Sequence, residues 1–389
     1  MINLWPLLLP AAAWSGWWIA RRHYSNKRYT LANQLSSEYM VGLNYLLNEQ
    51  PDKAVDVFIK LLEVGNDTVE THLALGSLFR RRGEVDRAIR IHQNLISRTQ
   101  LNPNQRKEAL LALGQDYMSA GVFDRAERLF KEVVDVTHAR EVNSLQGLLA
   151  IYQQEKAWLK ALDIIDKLEN ATGCSMHIQS AHYYCEIALL AIKSEDFEQV
   201  TQAINQALFI DKSSVRANLI QADLAINNQQ YEHAIGILKC IPVQDPEFSS
   251  EIVEPLVYCY QQLNQMEECI NYLTKIMSSY PCTSIIFIIG DYIRGKNSTG
   301  EAIDFISSQL SRYPSIRGLN RLILWYLDYM NGNVRDKLQM LYDITSKFLA
   351  DKPIYRCSHC GFNGKFLYWQ CPSCKHWGRI KPIHGLEGA

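Results

Sequence analysis

The chain has 389 residues, with 40 basic and 41 acidic side chains, a formal net charge of −1 and 47% hydrophobic residues. That balance excludes a largely disordered chain and lacks the electrostatic footprint of a dedicated nucleic-acid binder. Twelve prolines and 20 glycines are sparse for this length, which favours helices over a turn-rich all-β chain.

Residues 1–20 (MINLWPLLLPAAAWSGWWIA) carry no charged side chain, and Arg21, Arg22, Lys27 and Arg28 follow at once. About 20 apolar residues at ~1.5 Å rise per residue span a ~30 Å hydrocarbon core. Trp5, Trp14, Trp17 and Trp18 suit an interfacial aromatic belt, and the basic flank suits the cytoplasmic side. A cleaved secretory signal is disfavoured, because such a signal carries its positive charge before the apolar core. Pro6 and Pro10 are the features that would suit a kinked interfacial segment instead. The expectation is a single transmembrane anchor over 1–20 and a basic juxtamembrane segment over 21–34, with the rest of the chain facing the cytoplasm. In that reducing compartment Cys174, Cys185, Cys240, Cys259, Cys269 and Cys282 are expected to be free thiols that pack as small apolar side chains.

From residue 35 to 350 the chain repeats a pattern of a small residue, an aromatic three positions on, and an alanine nine positions after that. It runs Gly42–Tyr45–Ala54, Gly76–Phe79–Ala88, Gly114–Tyr117–Ala126 and Leu149–Tyr152–Ala161. It continues with Ala188–Ala191–Val200, Ala222–Ala225–Ala234, Val257–Tyr260–Cys269, Gly290–Ile293–Ala302 and a degraded Tyr326–Tyr329–Leu338. Successive third positions lie 33 to 39 residues apart. A helix–turn–helix unit of ~34 residues with these offsets is the tetratricopeptide repeat. The predicted fold is mainly α: a tetratricopeptide-repeat α-solenoid of about nine helix pairs. The small residue is expected to let the second helix approach, and the alanine to meet it there. Turns are predicted at Arg82–Glu84, Ala120–Val122 and Asn227–Gln229, with insertions near Leu101–Asn104 and Thr172–His177. Pro51, Pro103, Pro281 and Pro314 fall at helix starts or between repeats, where proline is tolerated. A solenoid buries each repeat on its neighbours and offers a long groove, so the apolar stripes (Val55, Phe58, Ile59, Leu62) read as core.

Residues 351–389 form a separate module. Cys357, Cys360, Cys371 and Cys374 read C-x2-C-x10-C-x2-C, the spacing of two knuckles that hold one metal ion tetrahedrally. Gly361 and Pro372 suit the tight turns, and Phe366–Trp369 reads as a strand between the knuckles. So short a module has too little core to fold without such a staple. Zn²⁺ is the default for four thiolates, and iron in a rubredoxin-type site is the alternative. Four protein ligands leave no open position, so the ion is structural. His359 and His376 then read as surface or outer-sphere residues.

No P-loop, nucleophile elbow, H-E-x-x-H or dinucleotide fingerprint is present, and the histidines (His72, His92, His138, His182, His233 among them) are scattered along helices. No catalytic residue is assigned. Arg80, Arg81, Arg82, Arg87 and Arg90, interleaved with Glu84 and Asp86, read as a solvated helix end, with a docking patch for an acidic partner or lipid phosphates as the alternative. The tail is basic (Lys365, Lys375, Arg379, Lys381) and aromatic (Phe366, Tyr368, Trp369, Trp377), as nucleic-acid-binding zinc ribbons can be. The near-neutral chain and the anchor oppose that reading.

Anchor, repeat array and four-cysteine tail occur together, in that order. With RRRGEVDRAIRIHQ (Arg80–Gln93), DRAERLF (Asp124–Phe130) and YRCSHCGF, LYWQCPSC and IKPIHGL (within Tyr355–Leu386), the whole chain resembles the LapB family of lipopolysaccharide assembly proteins. The resemblance implies an inner-membrane protein with one N-terminal helix, a cytoplasmic repeat array and a rubredoxin-like domain docked on it. It implies a non-enzymatic adaptor that controls lipopolysaccharide synthesis by promoting degradation of the deacetylase LpxC by the membrane protease FtsH. It also implies antagonism by a PbgA-type inner-membrane protein that senses lipopolysaccharide. The family's four metal ligands fall on Cys357, Cys360, Cys371 and Cys374. The alternative roles are a scaffold for synthesis or export enzymes that directs no proteolysis, and an RNA-binding zinc ribbon on a repeat platform. A homo-oligomer is compatible with all of these.

Overall fold

A computed structural model describes residues 69–97, 101–137 and 141–386, together with short pieces between 40 and 57. The predicted anchor (1–20) and basic flank (21–34) lie outside the described residues. Among the described residues no helix is long and apolar enough to cross a membrane.

The described residues divide into two compact units, the first ending at Cys174 and the second beginning at Ser175. The division falls inside the insertion predicted near Thr172–His177. The first unit contains the pairs α1 (Val69–Arg81) and α2 (Val85–Ile96), α3 (Pro103–Ser119) and α4 (Phe123–Thr137), and α5 (Val142–Gln154) and α6 (Trp158–Thr172). The second contains α7 (His177–Lys193) and α8 (Phe197–Ile210), α9 (Val215–Asn227) and α10 (Tyr231–Gln244), and a 3₁₀ helix at Pro246–Ser250. It continues with α11 (Val253–Gln262) and α12 (Met266–Ser279), α13 (Thr283–Lys296) and α14 (Thr299–Arg312), and α15 (Ile316–Tyr329) and α16 (Asn333–Ala350). Strands β1 (Tyr355–Cys357), β2 (Asn363–Gly364) and β3 (Ile380–Pro382) follow.

Six helix pairs turn in the same way. Gly83, Gly121, Lys156, Glu195, Gln229 and Asn264 all adopt positive φ, between 56° and 82°, four residues after the aromatic position of their repeat. The next residue donates its N–H back to that position's carbonyl: Glu84 to Phe79 at 2.9 Å, Ala157 to Tyr152 at 2.8 Å, Gln265 to Tyr260 at 2.9 Å. These are Schellman closures, which satisfy the last carbonyls of a helix with a left-handed residue. Three were predicted from sequence at the glycine and asparagine turns. The other three use Lys156 and Glu195, residue types that signal such a turn weakly, and Asn264.

The third positions of the repeat are its packing centres. Ala54, Ala88, Ala126, Ala161, Val200, Ala234, Cys269 and Ala302 are all fully buried. The ninth, Leu338, is only half-buried, and no residue of α16 is buried, as befits an end with no following repeat. One expected contact is different. At Gly76, Gly114 and Gly290 the nearest atoms belong not to the alanine but chiefly to the side chain four positions beyond it, one helical turn on along the same face. A methyl group at Gly114 would lie 2.6 Å from the Phe130 ring, one at Gly290 would lie 2.6 Å from Ile306, and one at Gly76 would overlap His92. Phe130 is held from both sides, because a methyl group at Gly147 would also approach it to 2.6 Å.

The first unit carries a regularity absent from the reading of its sequence. The residue just before the alanine is basic in the first four repeats, and it lies over the ring of its own repeat: Lys53 over Tyr45, Arg87 over Phe79, Arg125 over Tyr117 and Lys160 over Tyr152, at 5.3 to 5.7 Å. Such contacts add about 0.5–1 kcal/mol each at exposed sites. The second unit has Gln199, His233, Glu268 and Glu301 at the same position of its first four repeats, and Lys337 in its degraded last one. In the arginine cluster Arg81, Arg82, Arg87 and Arg90 are exposed, as a solvated helix end requires, and Arg80 turns inward. Arg80 bonds Asp116 at 2.6 Å, and Asp116 also holds the buried His92 through Nδ1 at 2.5 Å. Arg82 and Arg87 both pair with Glu84.

Candidate metal centre

The four predicted ligands converge. The Sγ atoms of Cys357, Cys360, Cys371 and Cys374 all lie within 4.8 Å of one another. Cys357 and Cys374 are 3.8 Å apart, and Cys360 and Cys371 are 3.6 Å apart. A tetrahedron with Zn–S bonds of ~2.3 Å has S···S edges of roughly 3.8 Å, so the spacing fits one ion with four thiolates. The donor set and the closed geometry define a structural site for one metal ion.

The local sequence builds each half of the site as a tight turn. After the first knuckle Gly361 takes φ 76°, and after the second Lys375 takes φ 60°. Their N–H groups close each turn onto the carbonyl of the first cysteine, Gly361 to Cys357 at 3.0 Å and Lys375 to Cys371 at 2.9 Å. In each knuckle the following residue points its N–H at the second cysteine's sulfur. The Phe362 N–H pulls the Cys360 thiol down to about 6. Cys374 has the matching N–H from His376, yet burial, and then the crowding of Cys360, Cys371 and Cys357, push it up to about 12. Four sulfurs so close resist a common thiolate state, and a divalent cation at their centre cancels that repulsion.

The sheet has the order β2–β1–β3 and is antiparallel throughout. Cys357 pairs with Ile380, which anchors the first knuckle to β3. The strand predicted over Phe366–Trp369 is not formed. These residues make an irregular approach to the second knuckle, with Leu367 and Trp369 packed on the helical core of the second unit. Side-chain burial there replaces backbone pairing.

The second knuckle is the tip of a small hairpin whose base carries two tryptophans. Gln370 bridges Trp377, and the Gly378 N–H bonds the Trp369 carbonyl at 2.8 Å. Both indoles enter the helices of the second unit. Trp377 stacks on His182 of α7, with centroids 5.3 Å apart, and meets Tyr183 edge-on. Trp369 stacks on Phe248 of the 3₁₀ helix at 5.6 Å and 14°. Arg216 of α9 lies over both indoles at 5.7 and 5.8 Å, is only 5% exposed, and is held by Glu186 at 2.6 Å. A desolvated guanidinium needs such a carboxylate partner, and this one aims it at the rings. Burial, and then the charge of Arg216, hold the His182 pKa down at about 3.

Polar ties surround this aromatic clamp. The Tyr355 hydroxyl donates to Glu251 at 3.0 Å. Lys381 pairs with Asp245 and Glu247. His384 Nε2 donates to the Glu247 carbonyl at 2.9 Å, and the Ile316 N–H donates to the Leu386 carbonyl at 2.9 Å.

These contacts reassign several residues. Trp369, Trp377 and Lys381, read from sequence as part of a basic aromatic surface, are engaged within the fold. Phe366 and Tyr368 remain exposed. His182, read as one scattered helical histidine, is a buried element of the clamp. Arg216, Glu186 and Phe248 had no sequence signal of their own. The only available cue was that two tail tryptophans require apolar cover. Of the six scattered cysteines, Cys185, Cys259, Cys269 and Cys282 are buried as expected, whereas Cys174 and Cys240 are exposed.

Comparison with known proteins agrees with this architecture. The family described as rubredoxin metal binding domain matches residues 355–382, and the tetratricopeptide repeat family matches residues 71–107. The chain is 39% identical to lipopolysaccharide assembly protein B of Escherichia coli strain K12 over 389 residues, covering all of both proteins. It is 36% identical to the protein of the same name from Haemophilus influenzae over 400 residues, again with full coverage of both. With its repeats, its knuckles and its full length matched, the chain belongs to the lipopolysaccharide assembly protein B family.

Proposed function

We propose that the chain is a non-enzymatic scaffold in lipopolysaccharide assembly, anchored in the inner membrane by residues 1–20 with its repeats in the cytoplasm. In this reading it acts as an adaptor that presents the deacetylase LpxC to the membrane protease FtsH. A PbgA-type protein that senses lipopolysaccharide opposes it. The observation that carries the reading is the end-to-end match to two proteins named for lipopolysaccharide assembly. The site supports a binding role: its ion is enclosed by four protein ligands, and a closed centre of this kind organises structure and leaves no position for a substrate. The physical advantage of the anchor is effective concentration, since tethering adaptor and protease to one bilayer raises their encounter far above that of free partners. Zn²⁺ is the proposed ion, with Fe as the alternative for the same thiolates.

The test is the half-life of LpxC in cells that have the chain, lack it, or carry it with Cys371→Ser and Cys374→Ser. The adaptor reading expects LpxC to persist longer in the second and third cases. An unchanged half-life together with impaired lipopolysaccharide assembly would favour the scaffold that directs no proteolysis.

A further inference from the structure

The fold brings together two histidines that sequence spacing leaves 17 residues apart. His359 sits inside the first knuckle and His376 lies two residues past the second. Their rings stack with centroids 3.9 Å apart and planes inclined by 22°, and both side chains are exposed. A nitrogen from each ring and the Cys374 Sγ lie within 4.8 Å of one another. One ring's tautomer is set by its surroundings. His376 Nδ1 lies 3.0 Å from the Cys374 carbonyl. A carbonyl only accepts, so Nδ1 carries the proton and Nε2 keeps its lone pair. A carbonyl that fixes the tautomer in this way is the usual support of a metal-binding histidine.

We infer that His359, His376 and the Cys374 thiolate form a second, exchangeable site for a borderline divalent cation of the zinc type, beside the closed four-cysteine centre and sharing one sulfur with it. Two imidazoles and a thiolate match the preferences of Zn²⁺, Co²⁺ and Ni²⁺, and suit Mg²⁺ or Ca²⁺ poorly. Three protein donors leave a coordination position to water, so this ion exchanges where the enclosed one does not. Both histidines are solvent-exposed, so no enclosing packing prevents the stacked rings from turning toward a common ion. The closed centre lacks an open position through which an incoming ion could first bind, and a neighbouring site that shares Cys374 supplies one. This inference stands independently of any role toward LpxC.

The test uses the untagged full chain in detergent, loaded with one equivalent of zinc in the four-cysteine centre, dialysed against Zn²⁺ or Co²⁺ and assayed for metal per chain. The expected result is a second, weaker equivalent in the wild type. The double variant His359→Ala with His376→Ala should lose it and keep the first. Each single change to Gln should weaken the second equivalent by at least about tenfold, since even the loss of a ligand's outer partner costs 10–100-fold. Retention of the first equivalent reports that the module is still folded. A wild type that stops at one ion per chain, or a double variant that still binds two, overturns the inference.

Discussion

His182 and Trp377 stack 5.3 Å apart with 28° between their planes, which joins a helix of the repeats to the base of a metal-binding hairpin. The contact depends on a neutral imidazole. Burial, and then Arg216, lower its pKa from the ordinary 6.5 to about 3, so the folded protein refuses a proton that the unfolded chain accepts below 6.5. The stabilisation from this group is therefore complete above 6.5 and is lost progressively as the pH falls toward 3. The slope is bounded at about 1.4 kcal/mol per pH unit for one histidine. Between about pH 6.5 and about pH 4 the midpoint of thermal unfolding, followed by tryptophan near-UV dichroism, should fall more steeply in the wild type than in His182→Phe. That variant keeps an aromatic face and removes the titration. Parallel profiles would show that His182 does not limit acid stability. Burial raises the carboxyl of Glu251, beside Tyr355, but that group is common to both proteins and leaves the comparison unchanged.

Removal of the ion should loosen the clamp as well as the knuckles. The hairpin that ends in Cys371 and Cys374 holds Trp369 and Trp377 at its base, so a free tip relaxes the pairing that positions both indoles. Chelation, or the double change Cys371→Ser and Cys374→Ser, should therefore expose the segment after Asp351 to proteolysis. Amide exchange should accelerate at Trp369 and Gly378 while α1 to α6 keep their protection. Faster exchange limited to the cysteine turns would mean that the clamp holds without metal.

The repeats and the metal ligands were legible in the sequence because each rests on local, periodic chemistry. A repeat position, most often alanine, every 33 to 39 residues, and cysteines paired across two intervening residues, announce themselves without a partner. The clamp was not legible, since it is written in single residues of three separate elements: His182, Arg216 and Phe248 meet Trp369 and Trp377 only after folding. The partner of the small residue was misread for a similar reason. Gly114 is filled by Phe130, one turn past Ala126, and the fixed motif records the alanine only. The false strand at Phe366–Trp369 shows how an aromatic run can satisfy itself by side-chain burial. The basic residue before the alanine of the first four repeats, by contrast, was periodic and visible, and the repeat pattern as searched did not include it.

The non-glycine residues in left-handed turns offer a way to stabilise the protein. Lys156 and Glu195 adopt φ 57° and 58° in the same closure that Gly83 and Gly121 make without a Cβ. An L-residue in that region costs about 1–2 kcal/mol, partly offset by the greater chain entropy of glycine when unfolded. Lys156→Gly and Glu195→Gly should each raise stability by about 0.5–1 kcal/mol, seen as a higher denaturation midpoint with an unchanged slope. A lower midpoint would mean that the side chain contributes more than its backbone costs.

The opposite outcome is expected at the glycines that admit Phe130. A methyl group at Gly114 or Gly147 would come within 2.6 Å of that ring, far inside contact distance, and Phe130 is 1% exposed with helices on both sides. Neither glycine has a positive φ, so alanine suits the backbone and the clash is purely steric. Alanine's better helix propensity returns about 1 kcal/mol, against about 1–3 kcal/mol for overpacking a filled core. Gly114→Ala and Gly147→Ala should each destabilise the first unit, and the pair should cost more than either alone, because the ring loses its retreat from one side to the other. Adding Phe130→Leu, a shorter side chain, should recover part of the loss in both single variants. If Phe130→Leu made each of them worse, the ring would have to be accommodated elsewhere, and the glycines would owe their place to something other than its volume.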